Sequence, residues 1–168
     1  MNEWQRDMQN DRAIISCGIL AAIWIAIGIP YGYALYPLWL RCLTYHFFHA
    51  NLFHLLANGF CLFQMIRTGR AGWGRLAIAF IIASLIPIVY HGNLIGFSNI
   101  LYAITGLSFF TFTKQTRWTF VLASALMLPF PQIAGVPHFI ALCLGIAIAF
   151  LINKLERISN DIKSATYR

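Results

Sequence analysis

Between Arg12 and Lys154 the chain carries no carboxylate side chain; its five acids, Glu3, Asp7, Asp11, Glu156 and Asp161, all lie at the two ends. An ordinary soluble domain intersperses charges of both signs at roughly a quarter of its residues. Here only 10% of the 168 residues are charged, and 60% are hydrophobic. So short a chain cannot hide that much apolar surface from water. A cytosolic enzyme, a disordered tail and a nucleic-acid module are excluded, and a lipid bilayer is the expected surrounding. The net charge of +7 is therefore read by its placement, not as a sign of nucleic acid.

Six apolar stretches, punctuated by Gly, Pro and basic residues, predict membrane helices at about 13–35, 47–66, 73–90, 98–113, 118–128 and 138–153. A span needs about 20 predominantly apolar residues, fewer where a helix begins below the membrane surface. The cations orient these spans. Arg6 and Arg12 precede the first, and Arg67, Arg70 and Arg75 separate the second from the third. Lys114 and Arg117 separate the fourth from the fifth, and Lys154, Arg157, Lys163 and Arg168 follow the sixth. Arg41 alone falls on the opposite side, as the positive-inside rule requires of a six-span chain with both termini in the cytoplasm. The first apolar run is taken as a helix and not as a cleaved signal: its leader Met1–Arg12 holds three acids, and 31-YGYALYP-37 is a poor small-residue cleavage site. No linker or repeat divides residues 1–168, so a single all-α membrane domain is expected. The four cysteines, Cys17, Cys42, Cys61 and Cys143, have no CxxC spacing and read as packing residues.

Polar groups in hydrocarbon are costly, so each needs a partner or a task. One cluster opens the second span, in 41-RCLTYHFFHANLFHLLANGF-60, where helical spacing sets His54 and Asn58 on one face with Asn51 a turn earlier and His49 offset. A second is Ser98, after a glycine-containing loop, and a third is His138, directly after Pro137. Ser98 and His138 each precede a basic anchor (Lys114, Lys154) by 16 residues, and His54 precedes Arg67 by 13. At 1.5 Å per residue these spacings are about 24 Å and about 20 Å, which predicts one common layer in the outer half of the bilayer. The loops leading to Ser98 and His138 must then descend into the membrane, which irregular backbone tolerates only inside protein or beside a water-filled cavity.

That layer holds the parts of a hydrolase. A serine becomes nucleophilic when a base lies within hydrogen-bond reach, and His138 is the candidate base. With no acid in the membrane, a three-member triad is excluded and a Ser98–His138 dyad remains. Backbone N–H groups at the start of the fourth span, together with His54 and Asn58, are candidate oxyanion donors. Plainer readings stand beside this one. Ser98 can be a helix cap, the His and Asn residues can be interhelical hydrogen-bonding groups, and His46, His49 and His54 can be considered as a metal set. The metal set lacks an HExxH or carboxylate companion.

In these residues the chain resembles the rhomboid family of intramembrane serine proteases, in its minimal six-helix form and over nearly the whole length. Arg41, Thr44, His49, His54 and Asn58 match the pattern R-x-x-T…H-x-x-x-x-H-x-x-x-N. The segment 96-GFSNILYAITG-106 is similar to G-x-S-G-x-x-Y-A-x-x-G, with Gly96, Ser98, Tyr102, Ala103 and Gly106 in register. In 138-HFIALCLGIAIAF-150, His138 and Gly145 match H-x-x-G-x-x-x-G. The resemblance implies Ser98 as nucleophile, His138 as general base, His54 and Asn58 as oxyanion donors, Tyr102 beneath the His138 ring, and His49 holding the cavity and its water. It implies cleavage of the transmembrane helices of single-span or multi-span proteins near their outer ends, without metal, nucleotide or other cofactor. Asn99 stands where the pattern has Gly, and Ala141 replaces the first Gly of the last motif. At Asn99 two outcomes are open: a loosened dyad, or accommodation by a hydrogen bond. A catalytically inactive relative that binds transmembrane helices is the alternative function, and a transporter would need a polar path across the bilayer that the sequence lacks. The fifth span, short and closed by Pro129-Phe130-Pro131, is expected to be the mobile wall through which a substrate helix enters. The expected location is a bacterial plasma membrane.

Overall fold

The computed structural model describes residues 37–91, 94–129 and 134–166, with five further positions: Asp11 in the leader, and Ile14, Ile15, Gly18 and Ile19 in the first apolar stretch. The rest of the expected first span, including Cys17, the rest of its leader, and Phe130 and Pro131 lie outside the described residues. Those described form helices and their connections, with no strand among them. In order these are α1 (Leu38–Thr44), a 3₁₀ turn (Tyr45–Phe47), α2 (Leu52–Arg67), α3 (Trp73–Val89), α4 (Ser98–Leu107), a 3₁₀ turn (Phe109–Thr111), α5 (Lys114–Leu126) and α6 (Gly135–Thr166).

Several boundaries differ from those the apolar runs suggest, each for a local reason. The second apolar run starts at Phe47, yet α2 begins at Leu52, because the Asn51 side chain accepts from the backbone N–H of His54 at 2.8 Å and caps the helix there. His49 is thus on the connection before α2 and not on the helix. α3 follows its expected span to within one residue. α4 stops at Leu107 after ten residues and is continued only by a 3₁₀ turn, so a depth for Ser98 counted along one helix down to Lys114 does not hold. α5 starts at Lys114, capped by Thr113 through Thr116 N–H at 3.2 Å, and takes in the cations expected between spans. α6 runs 32 residues to Thr166, well past Lys154; no Gly or Pro follows Gly145 to end it.

One helix among the described residues, over Gly135–Ala165, is long and apolar enough to cross a membrane. α2 and α3 are apolar but shorter, at 16 and 17 residues.

The core sits around α4. Eight of its residues are buried, from Asn99 to Leu107 with Tyr102 the exception, as a helix enclosed on all sides requires. It packs most extensively on α6 and then on α3. The α4–α6 contact is backbone on backbone. A Cβ built at Gly106 falls 2.9 Å from Gly145 Cα and Ile146 N and closer still to the Leu142 carbonyl oxygen; one at Gly145 falls 3.0 Å from Gly106 Cα. Buried Ala103, Ala141 and Ala149 extend this small-residue seam. Ser98 lies eight residues before Gly106 and His138 seven before Gly145, so the parallel helices α4 and α6 bring their first turns level.

At the opposite end the basic residues are tied to the connections. Ser108 Oγ donates to the Arg70 carbonyl at 3.2 Å, and Arg117 Nε donates to the Phe112 carbonyl at 2.9 Å. The Arg70 guanidinium lies 4.7 Å over the Phe112 ring.

Candidate functional site

A proline inside α3 sets the site's foundation. Pro87 has no N–H to give the Ala83 carbonyl one turn back, and that carbonyl instead accepts the Tyr45 hydroxyl at 2.8 Å. The next residue along the chain, His46, reaches Ser84 Oγ at 3.2 Å through Nε2. Tyr45 and His46 are both fully buried, so the 3₁₀ turn is fastened to α3. From there Tyr45 holds the loop before α4 twice. Its carbonyl accepts from Gly96 N at 3.0 Å, and its hydroxyl accepts from Asn99 Nδ2 at 3.0 Å. Asn99 is therefore accommodated by a hydrogen bond. Sequence reasoning missed Tyr45 and Ser84. The orphan carbonyl ahead of Pro87 announced that a donor was needed, but nothing local said it would come from 38 residues away.

Gly96 has φ of +111°, a conformation open to glycine. Its missing side chain also makes room: a Cβ there would lie 2.6 Å from His54 Cε1, 2.8 Å from His54 Nε2 and 3.4 Å from Asn58 Nδ2. His54 and Asn58, one helical turn apart on α2, thus stand over the loop two residues before Ser98. Asn58 Nδ2 is 3.1 Å from His49 Nε2, and the His49 and His54 rings meet edge-on with centroids 5.1 Å apart. His49 is fully buried beneath them. His46 is engaged with Ser84, and no group of three metal-ligating side chains forms among the described residues.

Ser98 is the first residue of α4, and no side-chain cap accompanies that start. Its Oγ lies 2.7 Å from His138 Nε2. His138 is in the first turns of α6, where Pro137 needs no N–H partner and His138 N donates to the Ala134 carbonyl at 3.1 Å. Tyr102, a turn after Ser98 on the same face, stacks on the His138 imidazole with centroids 4.5 Å apart and planes 8° apart. The Tyr102 hydroxyl points to Met127 Sδ at 3.6 Å, at the end of α5. His138 Nδ1 is buried and has no hydrogen-bond partner among the described residues. Ten of the residues singled out in the sequence therefore fall in one assembly. Ser98, His138 and Tyr102 are in contact; Gly96, His54, Asn58 and His49 adjoin them; Asn99, Ala141 and Gly145 fix the helices that carry them.

Comparison with family models, with curated proteins and with solved structures returns no match.

Proposed function

We propose that the chain is an intramembrane serine endopeptidase of the rhomboid type, a six-span protein with both termini cytoplasmic that cuts the membrane helices of other proteins near their outer ends. The observation that carries this reading is the 2.7 Å approach of Ser98 Oγ to His138 Nε2, in a region of the chain with no carboxylate.

The chemistry follows from the tautomer that lets His138 act as a base. With the imidazole proton on Nδ1, Nε2 is the acceptor and Ser98 Oγ the donor of their hydrogen bond. As Oγ attacks a peptide carbonyl, the Oγ proton passes to Nε2, and the imidazolium so formed lies flat on the Tyr102 ring, whose π face favours a cation. Nε2 then protonates the leaving amine as the C–N bond breaks, leaving an acyl-serine. Water attacks the ester, giving its proton to Nε2, which returns it to Oγ. The oxyanion of both steps meets the first N–H groups of α4, which have no helical acceptor, and the second Asn58 Nδ2 proton, the first being directed at His49. α5 buries only Ser124, which suits a lateral wall that swings aside for a substrate helix.

A serine-directed fluorophosphonate tests the reading. Wild type should be labelled at Ser98, and His138→Ala should lose the label while still inserting in the membrane. Labelling undiminished in His138→Ala sinks the dyad. An unlabelled wild type that still captures transmembrane helices makes the chain a non-enzymatic binder.

A further inference from the structure

At the end of the molecule away from Ser98 two cavities adjoin. One, of about 410 Å³, lies between the first turn of α3, the 3₁₀ turn after α4, and the polar face of α6 on which Asn153, Glu156, Arg157 and Asn160 recur one to two turns apart. Arg75 enters it from α3, and Thr111 from the 3₁₀ turn. The other, of about 270 Å³, shares Phe110, Asn153 and Arg157 with the first and adds the Phe150 ring and Lys154.

The two together have the form of an amphiphile's site. Arg75, Arg157 and Lys154 outweigh the single carboxylate of Glu156, and guanidinium groups suit a phosphate's oxygens. The Arg75 guanidinium is already held in place through Nη1, which donates to the Gly69 and Arg70 carbonyls at 3.4 Å and 3.3 Å. Asn153, Asn160 and Thr111 offer neutral donors, and Glu156 offers an acceptor for a headgroup hydroxyl. The cleft walled by Phe110 and Phe150, both exposed, leads from this polar pocket toward the apolar stretch of α6. Along α6, Arg157 is 19 residues from His138, about 28 Å, so the pocket lies one bilayer thickness from the dyad. In the orientation proposed above this is the inner headgroup level, where basic pockets between helices hold anionic lipid.

We propose that this paired cavity binds one anionic glycerophospholipid of the cytoplasmic leaflet, its phosphate between Arg75 and Arg157 and an acyl chain along Phe110 and Phe150. The inference rests on the membrane reading but not on the dyad.

The full chain, purified in detergent and exchanged against mixed phosphatidylglycerol and phosphatidylcholine, is examined by native mass spectrometry. Wild type should retain one phosphatidylglycerol in preference to phosphatidylcholine by about tenfold, the weight that one to two basic groups carry at an anionic surface. The Arg157→Gln, Lys154→Gln double variant alters two exposed side chains and should lose the preference with insertion and serine labelling unchanged; Arg157→Lys should recover part of it. Equal retention of the two lipids by wild type overturns the proposal, and so does a preference that survives the double variant. Displacement by millimolar inorganic phosphate alone also overturns it, because the site would then hold a free anion and not a lipid. A chain recovered in solution without detergent refutes the membrane reading itself, an outcome distinct from a solubilised chain that shows no lipid preference.

Discussion

At the scale of single residues, the site is a set of polar atoms each answering another. Ser98, His138, His54 and Asn58 were legible because their types and spacings recur as motifs. Their support was not, because it joins residues distant in sequence: Asn99 Nδ2 gives to Tyr45 Oη across 54 residues, and Tyr45 gives to Ala83 across 38. The chain of bonds exists because Pro87 vacates a carbonyl, and this makes it testable. Tyr45→Phe leaves the Ala83 carbonyl and Asn99 Nδ2 without their partner in a buried place, at a cost of about 1–3 kcal/mol. Measured by thermal unfolding in detergent, that cost should shrink in a Pro87→Ala background, where the backbone N–H restored by the substitution can bond the Ala83 carbonyl. A double-mutant cycle reads the coupling. Equal costs in the two backgrounds would show that Tyr45 and Pro87 act independently.

At the scale of elements, positions depend on which helix ends are capped and which surfaces are bare. The apolar run from Phe47 disguised the true start of α2, since hydropathy does not register a cap; Asn51 ahead of His54 carried that signal. The run from Ser98 likewise overstated α4, which ends soon after Gly106. By contrast, the meeting of α4 and α6 was foreseeable from the small residues Ala141, Gly145 and Ala149. The Gly106–Gly145 approach is the fulcrum of the dyad: helices separated there diverge at Ser98 and His138. Gly106→Ala places a methyl against the Leu142 carbonyl and Gly145 Cα. It should cost about 1–3 kcal/mol of stability, as overpacking does, and reduce fluorophosphonate labelling at Ser98 at least tenfold, which corresponds to about 1.4 kcal/mol of lost pairing. Gly74→Ala in the first turn of α3 meets nothing within 4 Å and should leave both unchanged. If Gly106→Ala labels as fast as wild type, the seam does not set the dyad distance.

At the scale of the whole molecule, the proposed orientation rests on charge and length. Four of the cations grouped on one side by counting spans lie at one end of the described helices: Arg70 packs on Phe112, Arg117 bonds the same residue's carbonyl, and Arg75 and Arg157 line one cavity. The Ser98–His138 pair belongs to the other end. The length of α6 escaped the sequence reading because Lys154, Glu156, Arg157, Asp161 and Lys163 look like a loop when scored for apolarity, although most of them are good helix formers. As one helix of 32 residues, α6 is about 48 Å long against a hydrocarbon core of about 30 Å. In the orientation proposed above, its exposed, charged last turns emerge on the cytoplasmic side, as the cations favour. Alkaline phosphatase, active only when exported, distinguishes the two orientations. Joined after His91, in the connection that leads to Ser98, it should be active; joined after Ala71, beside Arg70, or after Thr166, it should be inactive. Activity after Ala71 and Thr166 but not after His91 would invert the molecule and put the dyad at the cytoplasmic face, while activity at all three junctions would mean that α3 does not cross the bilayer and that the three helices after it do not cross an odd number of times.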